Sequence, residues 1–145
     1  MGDRAVFGFK ENKNSTPVWL YSHWGGSSQR QDLAQAIVKA KPRWSDASYA
    51  TRIAMSTIIG DLWSQELNFG ISTGESFCLP DYDYVLVVVW DKCIVEMREA
   101  SDTSNIVARM SFDDFISLAA GDTINNSDEF VNMIAGLSDE EGAVV

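Results

Sequence analysis

The chain predicts an α+β fold, a single domain in which a mainly antiparallel sheet of about five or six strands carries three or four helices packed on it. Three observations carry this expectation. The run Tyr84–Trp90 is β-rich and continuously apolar, the mark of a central strand covered on both faces. Two segments, around 28–41 and 45–63, repeat apolar residues at three- and four-residue spacing. Polar turns then separate strand-like and helix-like runs in the order ββααββββαα, which suits strands paired with their sequence neighbours.

Ala5–Phe9 alternates weakly and reads as the first strand, and Val18–Tyr21 as the second. They are expected to pair as a hairpin across the polar stretch 11–16. Ser28 and Gln31 stand at capping-box spacing ahead of Leu33, Ala34, Ile37 and Val38, and Pro42 closes this helix. The second helix begins at Ser45 or Asp46. Its stripe of Ala50, Ile53, Ala54, Ile58 and Leu62 is widened by Met55, Ile59 and Trp63, which predicts a largely buried helix central to the sheet. Gly60 falls inside that pattern at a cost of about 1 kcal/mol relative to Ala, so close packing is the expected reason for it. Phe69–Thr73, Cys93–Arg98 and Ile106–Met110 complete the strands, with turns at Asp91-Lys92 and Ser101–Ser104. Ser111 caps a third helix that turns Phe112, Phe115, Ile116 and Ala119 inward and stops at Gly121. A short fourth helix is read over Asp128–Ala135. The expected organisation is one domain over 1–137 and an acidic, frayed tail over 138–145.

The charge is uneven. Residues 1–52 hold eight Lys and Arg against four acids, and residues 53–145 hold three against 17. A net charge of −10 disfavours unspecific attraction to nucleic acid or an anionic membrane, so direct nucleic-acid binding is not expected. The longest apolar run, Val85–Trp90, is far below the roughly 20 residues of a membrane span, and no apolar segment of signal-peptide length opens the chain. Two cysteines without CxxC spacing, Cys78 and Cys93, read as free thiols of a cytoplasmic protein.

The densest chemistry lies between Tyr21 and Arg30. A strand feeds a loop containing His23, Trp24, Gly25 and Gly26, and the loop feeds a helix N-terminus with Arg30 in its first turn. Such an end offers unpaired N–H groups and partial positive charge to a phosphate or carboxylate. Arg30 can fork onto an oxyanion, and Trp24 can stack on a base. The spacing matches neither common phosphate-loop pattern, and a tight turn with Tyr21 and Trp24 packed inward explains the same residues. A second anion-friendly helix end lies at Arg43 and Trp44, with Arg52 beyond it, where Trp44 equally suits a hydrophobic staple. His23, the only histidine, could serve as a general base, although its neighbour Ser22 points to the opposite face. No zinc spacing is present, and neither a metal nor a cofactor is expected. The acids Glu75, Asp81, Asp83, Asp91, Glu96, Glu99 and Asp102 crowd loops and hairpins. They offer the alternative of an acidic surface that inhibits a basic host protein or imitates DNA.

The string Val18-Trp19-Leu20-Tyr21-Ser22-His23-Trp24-Gly25-Gly26 resembles a group of small proteins of unassigned activity encoded by tailed phages and prophages, notably of actinobacteria. Lys41–Asp46, Tyr49–Ile53, Phe69–Ser72 and Asp81–Asp91 extend the similarity over most of residues 17–91. The resemblance implies a phage accessory gene expressed in the cytoplasm of a host bacterium, and by analogy an anti-defence role. It carries over no catalytic residue. The expectation is a binding protein that sequesters a small nucleotide-like anion without turnover, through Tyr21, His23, Trp24, Gly25, Gly26 and Arg30, with Arg43, Trp44 and Arg52 contributing. A homo-oligomer and a host-protein partner are left open, and a small hydrolase using His23 is the third reading.

Overall fold

The computed structural model of the chain describes residues 3–77 and 82–120. Six strands form one open sheet: β1 (Ala5–Lys10), β2 (Val18–Ser22), β3 (Phe69–Thr73), β4 (Tyr84–Val89), β5 (Ile94–Glu99) and β6 (Ile106–Ser111). Their order is β3-β2-β1-β4-β5-β6. All neighbours run antiparallel except β1 and β4, which are parallel. The fold is therefore α+β with a mostly antiparallel sheet, as the sequence predicts. The helices are α1 (Gln29–Lys39), α2 (Ala47–Ile59) and α3 (Phe112–Ala120). The expected Gly121 stop, the helix over Asp128–Ala135, the tail, Cys78 and Asp81 lie outside the described residues.

Alternation along each strand sorts side chains onto two faces. Phe7, Phe9, Leu20, Leu86, Val88, Met97 and Met110 point to the helices and form the main core with Leu33, Ile37, Phe112 and Phe115. Val6, Trp19, Val85 and Val87 point the other way and form a second cluster with Ala100, against which Tyr21 and Phe77 pack. β4 is buried along its whole length because both faces are covered. Residues 74–77 supply part of the second cover: the Trp19 indole donates to the Gly74 carbonyl at 2.8 Å, and Phe77 stacks on Tyr21. Gly8 is obligatory here, since a Cβ would stand 2.6 Å from the Trp19 ring.

The helix layer departs from expectation in four ways. First, α1, and not α2, is the middle helix, packed on both α2 and α3. Buried alanines at 34, 36 and 40 on the α1 side and at 50 and 54 on α2 let the helices approach closely. Second, no capping box forms at Ser28, whose hydroxyl donates to Asp32 on the next turn at 2.7 Å. Third, α2 stops at Ile59, and Leu62 and Trp63 lie exposed in a following 3-10 turn and loop. Fourth, Gly60 is not a packing glycine. Nothing stands within 4 Å of where its Cβ would be, but its φ of 60° with ψ of −135° is a backbone conformation open chiefly to glycine, and it ends the helix. The helical period of the sequence simply ran past that stop.

At the start of α3, by contrast, the Ser111 hydroxyl accepts from the Asp114 amide at 3.1 Å, the expected cap.

Candidate functional site

The predicted site residues separate to two ends of the molecule. β2 ends beside the beginning of β1, since Ser22 pairs with Ala5, so Tyr21, His23, Trp24, Gly25, Gly26 and Arg30 lie where β1 starts. α1 then runs its 11 residues, about 16 Å at 1.5 Å each, before Arg43 and Trp44 are reached. Trp44 packs edge-on to Phe112 and donates its indole N–H to the Ile37 carbonyl at 2.9 Å. Arg43 lies over the Tyr49 ring, and Arg52 is exposed on α2. The two groups cannot close on one small ligand.

At the first end the aromatics do cluster. The Tyr21 hydroxyl and His23 Nδ1 share a 2.7 Å hydrogen bond, and Trp24 stands edge-on to His23 with ring centroids 4.7 Å apart. Trp24 is 59% exposed and is available for stacking. Two amides of the turn are already engaged by Asp3. The Ser27 amide donates to the Asp3 carboxylate at 2.8 Å and the Gly26 amide to the Asp3 carbonyl at 2.7 Å, while the Tyr82 hydroxyl also donates to that carboxylate. Asp3 thus fills the place beside the α1 N-terminus where a phosphate was expected. Gly26 is pressed between Tyr82 and Asp3, and Gly25 against the Ser22 hydroxyl, so both glycines serve the tightness of the turn. Arg30, at 8% exposure, is drawn into the interior.

A different set of cations meets at the opposite end of the sheet. Because β1 and β4 are parallel, their C-terminal ends lie side by side, tied by Trp90 and Asp91 amides donating to the Lys10 and Glu11 carbonyls at 3.0 Å. The loop after β1 and the β4–β5 turn project from this end. With β6 they enclose a cavity of about 670 Å³ whose polar walls are Asn12, Lys13, Asn14, Lys92 and Arg109, with Asp91 beside Lys92. Val89 and Ile94 form its apolar floor, and Glu96 lies at the base. Trp44 belongs to this end too, but on the helix-bearing face, whereas Glu96 and Arg109 are on the other.

The acid at the base is neutralised from below. Glu96 is only 4% exposed, and Arg98 donates to its Oε1 from Nε at 3.1 Å and from Nη2 at 2.5 Å. Arg98 also donates to the Thr103 carbonyl at 3.0 Å, and Arg109 Nε lies 3.7 Å from Glu96 Oε2. Beside this pair, Lys10 donates to the Lys13 carbonyl at 2.8 Å. Burial first, and then the Arg98 charge, hold Lys10 below its ordinary value of 10.5. Five of the 11 basic residues, Lys10, Lys13, Lys92, Arg98 and Arg109, therefore serve this end of one face. Arg98 and Arg109 both answer Glu96, and the wall facing solvent adds Lys13 and Lys92 against Asp91.

The acidic surface is correspondingly thinner than the sequence suggests. Glu96 does not belong to it, and the Glu99 and Asp102 carboxylates accept from Asn105 and Ser104. Among the described residues no group of three His, Cys, Asp or Glu could hold a metal ion, and no helix is long and apolar enough to cross a membrane. A second concavity, about 440 Å³ between α1 and α3, is chiefly apolar with Lys39 at its margin, which does not suit an anion.

The fold and this cavity define the class: an open-sheet α+β protein with a cation-lined pocket beyond the parallel strand pair. No family model, curated protein or solved structure matches the chain.

Proposed function

We propose that the protein is a binding protein that takes up a small anion of nucleotide size without turning it over. The observation that carries this reading is the cavity formed by Lys13, Lys92, Arg109, Asn12 and Asn14, whose 670 Å³ falls in the ordinary range of ligand sites. Lys13 and Lys92 provide charge for phosphate oxygens, with the Arg109 guanidinium beside them against Glu96. The Asn14 side-chain amide offers a paired donor and acceptor suited to a base or sugar, while the Asn12 side-chain oxygen accepts from the Asn14 backbone amide at 2.9 Å and holds the loop. Val89 and Ile94 give an apolar floor. In a chain of net charge −10 such a local cluster is the place where an anion gains most.

Capture without reaction is favoured by His23, whose ring has Tyr21 as its one side-chain hydrogen-bond partner among the described residues. No serine, threonine or cysteine among the described residues is hydrogen-bonded to it. The resemblance to phage and prophage proteins supports an accessory role in a bacterial cytoplasm, where withdrawing a signalling nucleotide would blunt host defence. The exposed Trp24 remains a stacking surface of its own, at the far end of the sheet from the cavity.

The test is capture and release. The purified chain is mixed with an extract of bacterial nucleotides, freed of unbound material and heat-denatured, and the released compounds are identified by mass spectrometry. An unmodified nucleotide should be recovered from the native protein and from Trp24→Ala, but at least tenfold less from the Lys13→Ala/Lys92→Ala variant. An empty release, or equal loss in Trp24→Ala alone, contradicts the assignment. A chemically altered product points instead to a hydrolase.

A further inference from the structure

β3 presents a contact surface that is independent of the ligand cavity. Among the described residues β3 is an edge strand, hydrogen-bonded on one side only. Which of its backbone groups face outward follows from the pairing. Gly74 donates to the Pro17 carbonyl and His23 to the Asn68 carbonyl, so the bonded partners along this ladder are 74 with 17, 72 with 19, 70 with 21 and 68 with 23. Phe69, Ile71 and Thr73 therefore direct both their N–H and C=O groups to the open edge.

Edges of this kind are usually blunted by charge, proline or a bulge. The far edge, β6, carries Arg109, and its ladder to β5 shifts register at Met97/Arg98. β3 has none of these devices. The whole run Leu67–Gly74 is uncharged, and Ile71 is 55% exposed at its centre. The connection entering β3 adds Trp63 and Leu67, 60% and 66% exposed.

We infer that the open edge of β3 pairs antiparallel with β3 of a second copy of this chain, about a two-fold axis at Ile71. The sequence is self-complementary in that register. Ile71 meets Ile71 of the other copy, Gly70 meets Ser72, and Phe69 meets Thr73, with no like charges opposed. Phe69, Ile71 and Thr73 each lie opposite another outward-facing residue, so the Ile71–Ile71 pair and both Phe69–Thr73 pairs close two backbone hydrogen bonds each, and Gly70–Ser72 is the non-bonded pair between them. Two chains of net charge −10 repel, and an uncharged strip is where they can approach. The axis stands perpendicular to the sheet, which places both helix layers on the same side of one continuous sheet. Trp63 and Leu67 then extend the contact toward the roughly 800 Å² per partner of a stable interface.

The experiment is sedimentation equilibrium of the full chain up to about 100 μM, together with amide hydrogen exchange at low and high concentration. The native chain should have twice the monomer mass, and the Ile71 and Thr73 amides should gain protection as concentration rises. Ile71→Lys opposes two charges, and Ile71→Pro removes only an outward donor, so β2 keeps its ladder. Both should be monomeric, and Val107→Lys on the far edge should remain dimeric. A monomeric native chain, a dimer that survives both Ile71 substitutions, or outward amides that exchange freely at every concentration would overturn the inference. The exchange measurement needs no variant, so it decides the matter even where a substitution impairs folding.

Discussion

Glu96 illustrates how one side chain serves both the fold and the site. It is buried opposite Val87 on one strand and Arg109 on the other, and its charge is tolerated because Arg98 donates to it twice. Glu96→Gln removes the countercharge of a buried guanidinium and should destabilise the fold by about 3 kcal/mol, read from urea unfolding at neutral pH. Cys93 gives a second prediction. Burial first, then the Asp113 and Asp91 charges, push its thiol above the ordinary 9.0. The unfolded chain releases this proton at a lower pH than the folded one, so stability is retained below pH 9 and falls as pH rises toward the raised value. Lys10, held below its ordinary value, acts with the opposite sign over the same window, so the Cys93 contribution is read as a difference: from pH 8 to 10 the unfolding midpoint of the native chain should fall relative to that of Cys93→Ser. Single residues also mark the limit of sequence reading. Trp24 is as exposed as a stacking residue must be, but nothing in Tyr21–Arg30 discloses that Asp3, some twenty residues earlier, fills the turn.

At the scale of elements, the strands were legible because apolar alternation and turn residues bracket each of them, and β4 announced itself by having no polar face. The end of α2 was not, because Leu62 and Trp63 continue the helical period past Gly60, and a positive φ leaves no trace in periodicity. The α1–α2 order was hidden too: which helix lies in the middle depends on alanines meeting across helices. The cation-lined cavity could not be read as a motif. Its members come from the loop after β1, the β4–β5 turn and β6, and they meet only because β1 and β4 are parallel neighbours. Gly8→Ala tests the second face of the sheet directly. A Cβ there would stand 2.6 Å from Trp19 and 3.0 Å from Val87, so the substitution should cost about 1–3 kcal/mol in thermal or urea unfolding.

For the whole molecule, charge acts in opposite directions on the two proposed contacts. Salt screens the repulsion between copies of net charge −10, so self-association should tighten between 0.05 and 0.5 M NaCl, concentrations whose screening lengths run from about 14 to 4 Å. Anion uptake by the cavity should weaken over the same range. Sedimentation and ligand titration on one preparation check the pair. The most direct measurement of the central claim is a nuclear magnetic resonance titration of the isotopically labelled chain with inorganic pyrophosphate. Uptake in the cavity predicts saturable shifts concentrated at the Asn12, Lys13, Asn14 and Lys92 amides, with the Trp24 indole and the amides of residues 25–30 unmoved. Shifts confined to residues 23–30, or no saturable shift anywhere, would contradict it.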